Sequence, residues 1–386
     1  MDEFNMKNIV FWVNNLGKGG AQRVTSVLAN RLIKDNNVTI VYRDSDSCVY
    51  DIDPKIKILY IKDYQNNHTP NFAQKKENII FRIKRRFLKG KELKKLNKLY
   101  YFYQVPASWF KRYLDENPCD VIYSFMVGPN INLTMVKTNA KTILSERNYP
   151  AVPLLETDPV EVRNKYYPKG DIIVFQTEEM KNMFSPEVVK KSVVIPNPIK
   201  ENLPLPFEGE RQKIIVNYCS LDRPQKNLDL LFKAFDMVAE KYPDYKLMVY
   251  GYGDLNPKAC ETLESCKNKD KISVLPFDPN LHEKIKDYAM FVMTSDYEGM
   301  PNSLIEAMGI GLPVISTDCK GGGAKALINN HKNGIIVPRD DIEAVAQAME
   351  FYIENPEKAK EYAKEALKVR EELSVNRIAE KWMALI

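Results

Sequence analysis

Cysteine is scarce in this chain. Its 386 residues include six, Cys48, Cys119, Cys219, Cys260, Cys266 and Cys319, with five residues between the closest two. That spacing fits neither a zinc motif nor a disulfide framework, so reduced cytosolic thiols are expected. Histidine is scarcer still, at His68, His282 and His331 only. Long apolar runs are also lacking: nothing approaches the roughly 18 uninterrupted apolar residues of a membrane span. The first run, Ile9 to Val13, is too short for a signal-peptide core and leads straight into a glycine loop. These absences predict a cytoplasmic protein whose membrane contact, where it has any, is peripheral. No internal repeat is visible.

What is present is the balance of a soluble globular protein, with 44% hydrophobic and 28% charged residues. At roughly 150 residues per domain, the length predicts two domains. The net charge is a mild +5, yet Lys75 to Lys98 carries eleven Lys or Arg against Glu77 and Glu92, a local +9. The rest of the chain is therefore slightly acidic, which argues for one basic patch facing one anionic surface. Within and beyond that stretch, Ile80, Ile83, Phe87 and Leu88, then Leu93, Leu96, Tyr100 and Tyr103, form an apolar helical face. Cations around an apolar face describe a helix lying on anionic lipid, the alternative being an ordinary packed helix with a charged outer side. No recognised nucleic-acid module accompanies the charge, so a nucleic-acid partner is not expected.

Short apolar runs without polar alternation recur along the chain, as buried parallel strands require. They occur at Ile9–Val13, Val38–Tyr42, Val121–Ser124, Thr142–Leu144, Ile172–Phe175 and Val193–Ile195, with helical spacing between the first two at Val24, Val27, Leu28 and Leu32. A proline-rich stretch from Pro196 to Gly209 then reads as an interdomain linker. The alternation resumes at Ile214–Tyr218, Lys246–Tyr250, Ile272–Leu275, Met290–Met293, Pro313–Ser316 and Gly334–Val337. The fold class predicted is α/β, two Rossmann-like doubly wound domains facing across a cleft lined by strand-to-helix loops. The domains are expected at 1–198 and 199–369, with a final helix at about 370–386 returning to the first.

The most specific segment runs from Ser295 to Ile315. It places Glu298 after a strand, a turn at Gly299, Met300 and Pro301, a helix start near Asn302 or Ser303, and Glu306 in that helix's first turn. A helix start offers unpaired N–H groups to a phosphate, and a nearby carboxylate accepts from sugar hydroxyls. The alternative is structural: an Asn302 or Ser303 cap with Glu306 closing a capping box. The paired acids Asp44 with Asp46, and Asp51 with Asp53, read as solvated loop residues rather than metal ligands.

Two Glu eight positions apart, in the setting E-G-M-P-N-S-L-I-E-A-M-G-I-G-L-P-V-I-S, resemble the E-x7-E signature of family 4 glycosyltransferases, retaining enzymes of the GT-B fold that use nucleotide sugars. Further segments agree in order: G-G-A-Q-R-V from Gly19, S-E-R-N from Ser145, V-I-P-N-P-I from Val194, P-Q-K-N from Pro224, Y-G-Y-G from Tyr250 and N-G-I-I-V-P from Asn333. The resemblance covers nearly the whole chain and is weakest from about Asp46 to Asp120. It implies a UDP-sugar donor, a glycan acceptor that is lipid-linked, and work at the inner face of the cell membrane.

Carried over, the resemblance makes Glu306 the ribose partner, Glu298 the carboxylate near the donor sugar, and Lys226 a diphosphate ligand. Asn302, Ser303, Gly299 and Met300 belong to the same donor site. Gly19, Gly20, Glu146 and Arg147 belong to the first domain's binding loops. The cation on the leaving diphosphate does the work a metal does in other folds, so no metal and no cofactor are expected. The family usually has an arginine, its second diphosphate cation, five or six residues before the lysine, where this chain has Ser220 and Leu221; Arg223 is the nearest substitute. Histidine general-base catalysis is disfavoured, which suits a retaining route in which the leaving phosphate takes the acceptor's proton. Two other readings share the architecture: a nucleotide-sugar epimerase, and a catalytically silent sugar-nucleotide or membrane-binding subunit.

Overall fold

In this computed structural model, residues 6–17, 19–44, 48–66, 81–90, 93, 99–152 and 159–386 are described. His68, Ser45, Asp46 and most of the basic stretch lie outside the described residues. Contacts divide the chain into two units: Met1–Ile195 with Ile378–Ile386, and Pro196–Arg377.

The apolar runs do become strands. In the first unit these are β1 (Asn8–Val13), β2 (Asn37–Tyr42), β3 (Lys57–Tyr60), β4 (Val121–Phe125), β5 (Lys141–Ser145), β6 (Ile172–Phe175) and β7 (Ser192–Val194). They pair in the order β3-β2-β1-β4-β5-β6-β7, all parallel. Strand β3 escapes the sequence reading because it is an edge strand: no residue of Lys57–Tyr60 is buried, so its apolar run is short and mixed. The second unit holds β8 (Gln212–Ser220), β9 (Lys246–Tyr252), β10 (Ile272–Pro276), β11 (Tyr288–Met293), β12 (Val314–Thr317) and β13 (Ile335–Val337). Their order is β10-β9-β8-β11-β12-β13, again all parallel. Each unit is thus a doubly wound α/β domain with one switch point, between β1 and β4 and between β8 and β11.

Each sheet is covered by amphipathic helices. In the first unit Trp12 stacks on Phe110 of the helix Val105–Glu116 at 4.2 Å. In the second, the helix Leu228–Lys241 buries Leu231, Phe232, Phe235 and Val238 in one cluster with Leu247 and Val249. Full burial of each such side chain stabilises the fold by about 1.5–3 kcal/mol. The chain end belongs to the first unit: Trp382, in the helix Val375–Met383, is fully buried and stacks on Phe125, and its carbonyl accepts a 2.9 Å bond from Tyr123 Oη. Residues 370–377 stay with the second unit.

The proline-rich stretch is not a free linker. Its first residue already belongs to the second unit, and it lies as a strap over the helix Asn302–Gly309. Ile199 and Leu203 are buried against Gly309, Ile199 N–H donates to Leu373 O at 2.7 Å, and Arg370 donates to the carbonyls of Leu203, Pro204 and Gly309. Prolines forbid a helix or central strand here, but the apolar residues between them still bury.

Candidate functional site

In open parallel sheets, ligands bind outside the carboxyl ends of the strands at the switch point. In the second unit that point is flanked by the loops leaving β8 and β11, and these two loops are tied together. Thr294 Oγ1 donates to the carbonyls of Lys226 and Asn227 at 3.1 and 3.0 Å, and Asp296 N–H donates to Gln225 O at 2.8 Å. Asn227 sits in the left-handed region (φ 48°), which asparagine tolerates, and its side-chain amide donates to Asp296 Oδ1 at 2.8 Å. Burial pushes the Asp296 carboxyl above the usual range.

This lashing brings together two of the expected catalytic residues. Lys226 Nζ lies 2.6 Å from Glu298 Oε1, with both side chains largely buried. Burial alone would lower the Lys226 ammonium, but Glu298 more than offsets it and holds the group above the ordinary lysine range. The lysine is therefore a fixed cation. Two thiols flank the pair electrostatically, and burial pushes both Cys219 and Cys319 up to about 12, so they stay protonated and inert. Arg223 does not join this pair. It is 65% exposed, with Asp222 as an ionic neighbour at 3.9 Å. Leu221, one of the two positions where the resemblance led to the expectation of a cation, is buried.

Glu298 is buttressed from a third loop that sequence reasoning missed. After β12, Gly321 and Gly322 adopt φ of 94° and 70°, and Gly323 passes so close to the signature that a Cβ there would lie 2.3 Å from Gly299 O. Glu298 N–H donates to Lys320 O, and Lys320 N–H to Asp296 O, each at 2.9 Å. Three consecutive glycines after an apolar run were the available signal.

The signature helix spans Asn302–Gly309, with Pro301 as N-cap and no side-chain cap. Glu306 is its fifth residue, so it lies in the second turn and closes no capping box, contrary to the placement expected from the sequence. Its carboxylate is held by His282, Nε2 to Oε2 3.0 Å, a partner the sequence reading passed over. Asn302 and Met300 face the strap: Asn197 Nδ2 donates to Asn302 Oδ1 at 2.9 Å and to Met300 O at 3.1 Å. Met300 is buried, so its side chain anchors the turn rather than meeting solvent. Ser303 O accepts from Tyr218 Oη at 2.7 Å.

In the first unit, Gly19 and Gly20 stand where expected, at the β1-to-helix junction, with Gly19 N–H bonded to Tyr50 Oη at 3.0 Å. The loop after β4 opens with Met126 at φ 76°, a strained residue at the other flank of that switch point. Glu146 and Arg147, expected to present their charges to a ligand, are instead buried. Glu146 Oε2 accepts from Arg163 Nε at 2.7 Å and Tyr167 Oη at 2.6 Å. Arg147 lies 5.7 Å from the ring centroids of Phe125 and Trp382, and burial lowers its guanidinium to about 9. The sequence places both after β5 but cannot reveal that Arg163 and Tyr167 close over Glu146, or that Arg147 packs by Phe125 and Trp382.

Among the described residues, no cluster of three or more His, Cys, Asp or Glu could hold a metal ion, and no helix is long and apolar enough to cross a membrane.

Residues 203–369 match the model of the family described as glycosyl transferases group 1. Over 99% of this chain and 100% of its own length, an uncharacterized glycosyltransferase of Haemophilus influenzae is 24% identical. The N-acetylgalactosamine-N,N'-diacetylbacillosaminyl-diphospho-undecaprenol 4-alpha-N-acetylgalactosaminyltransferase of Campylobacter jejuni is also 24% identical, over 98% of this chain and 100% of its own. The crystal structure of TarM superposes with a TM-score of 0.76 at 19% identity, covering 100% of this chain and 99% of that one. An S. aureus TarM mutant in complex with UDP gives 0.74 at 19%, covering 98% and 99%. With the two parallel sheets, these likenesses show the GT-B fold, and the family model and named relatives support glycosyltransferase activity.

Proposed function

We propose that the chain is a retaining glycosyltransferase that moves a hexose or N-acetylhexosamine from a UDP-sugar to a hydroxyl of a lipid-linked glycan acceptor, in cell-surface polysaccharide assembly. The observation that carries the reading is the Lys226–Glu298 pair at the β8/β11 switch point, followed eight residues on by the buried carboxylate of Glu306. TarM crystallised with UDP, and the Campylobacter relative's name, with its diphospho-undecaprenol, support the choice of donor and acceptor.

The chemistry follows from the charges. Lys226 Nζ carries three donors, one of them directed at Glu298, and can turn the others to the diphosphate. As the bond from the sugar C1 to the phosphate oxygen breaks, negative charge grows on that oxygen, and a fixed, half-desolvated ammonium stabilises it most at that moment. Arg223, exposed and close to the same loop, supplies the second cation on donor binding. Glu298 accepts from hydroxyls of the donor sugar, and Glu306 from the ribose. The acceptor hydroxyl attacks the face the phosphate leaves, and the departing phosphate oxygen takes its proton. No metal is required in this scheme.

The first unit also meets the membrane in this reading. Arg82, Lys84, Arg85 and Arg86 are exposed around Ile83 and Phe87, themselves 53% and 80% exposed, while Phe81 is buried and stacks on Tyr100 at 3.8 Å. A helix anchored by one aromatic and offering two apolar side chains among four cations suits an anionic lipid surface.

Calorimetric titration with UDP, GDP and ADP in chelator tests the donor site. Native protein is expected to bind UDP without metal, and Glu306→Ala to weaken that binding about 10- to 100-fold, the effect of losing a charge-assisted hydrogen bond. Equal UDP affinity in native and variant proteins would contradict the assignment.

A further inference from the structure

We infer that His282 is a positioning residue for the nucleotide: it clamps one oxygen of the Glu306 carboxylate and so fixes the orientation in which that carboxylate meets the ribose. The inference rests on the proposed nucleotide role of Glu306 and adds to it a residue that no sequence motif marks.

His282 Nε2 lies 3.0 Å from Glu306 Oε2, and only 13% and 11% of the two side chains is exposed. An ionised carboxylate only accepts, so the imidazole must present N–H at Nε2. The histidine is itself held. It sits on the short helix Leu281–Ile285, whose two terminal residues are buried in the core. Its ring stands edge-on to Tyr218, with centroids 5.7 Å apart and planes at 89°. Tyr218, on β8, packs on Phe291 of β11 and donates through Oη to Ser303 O at 2.7 Å, in the first turn of the helix that carries Glu306. Three elements thus fix the pair: the 281–285 helix through His282, the signature helix that carries Glu306, and β8, whose Tyr218 touches both the His282 ring and the signature helix.

A glutamate on a helix surface samples many rotamers, and ordering it at the moment of binding weakens the complex. Glu306 meets that difficulty in the second turn, beyond reach of the helix start that orders residues such as Asn302. A histidine braced by an aromatic ring removes the freedom before the nucleotide arrives, leaving the carboxylate one orientation in which to accept from a ribose hydroxyl.

The test measures ribose discrimination rather than affinity alone, because a merely structural role would weaken all ligands alike. UDP, 2′-deoxy-UDP and 3′-deoxy-UDP are titrated calorimetrically into native protein, His282→Ala, His282→Gln, Glu306→Ala and the Ala/Ala double variant, with melting temperatures recorded for each. Native protein is expected to prefer UDP to one deoxy analogue by about tenfold or more. His282→Ala should lose most of that preference by weakening UDP, with the deoxy analogue unchanged within about twofold. His282→Gln, which keeps a side-chain N–H donor, should recover most of it, and the double variant should match Glu306→Ala within about twofold. Parallel weakening of all three ligands in His282→Ala, or an unchanged preference, would overturn the positioning role. Two failures are distinguishable: if Glu306→Ala keeps the full preference, the nucleotide reading of Glu306 falls and the inference with it. If Glu306→Ala abolishes the preference while His282→Ala retains it, the nucleotide reading stands and the clamp alone is refuted.

Discussion

Lys226→Ala is expected to lower turnover about 10²- to 10³-fold, the usual consequence of removing one preorganised donor from a developing negative charge. Affinity for UDP should fall less, by about tenfold at most, because a single ground-state contact to a diphosphate is shared with solvent and neighbouring donors. The asymmetry follows from the pairing in the resting protein. Lys226 is paired with Glu298 at 2.6 Å before any ligand arrives, so in the ground state the diphosphate must share the ammonium's charge with that carboxylate. Only when the leaving group acquires its full charge does the lysine gain more from the diphosphate than it gives up at Glu298. Steady-state kinetics of UDP release together with calorimetric Kd values check this. Equal losses in turnover and affinity would assign Lys226 to ground-state binding.

A second large effect is expected at the membrane. Replacing Arg82, Lys84, Arg85 and Arg86 together by glutamine removes four exposed cations, each worth on the order of 1 kcal/mol near an anionic bilayer, so vesicle affinity should fall by about 10³-fold. Sedimentation with phosphatidylglycerol-containing vesicles at low salt reads this directly, with UDP affinity as the internal control. Unchanged vesicle binding, or loss of UDP binding in parallel, would refute a separate membrane face.

The strands other than β3 were legible because buried parallel strands need unbroken apolar runs, whereas the two switch points appear only in the pairing order of the sheets. The edge strand β3 was hidden because nothing in it is buried, and the strap at Pro196–Gly209 was misread because proline content indicates what a segment cannot be, not where its apolar residues go. At the site, Lys226 and Glu298 were visible through the resemblance, and the structure brings them into contact across 72 positions. The remaining features depend on contacts between distant loops. His282 reaches Glu306 only because a five-residue helix after β10 places it there. Glu146 was expected to face a ligand from a binding loop, yet Arg163 and Tyr167 bury it. Arg223 and Lys226 are three positions apart, yet one is exposed and the other held in a buried pair.

The central claim, sugar transfer at the β8/β11 switch point, is tested most directly by incubating native protein in chelator with a panel of UDP-hexoses and UDP-N-acetylhexosamines and an undecaprenyl-diphosphate-linked saccharide pool extracted from membranes. The predicted result is UDP release matched by sugar gained on the acceptor, with the donor's anomeric configuration preserved in the product. Tight UDP binding with no release from any donor, or interconversion of free UDP-sugar without acceptor, would contradict it.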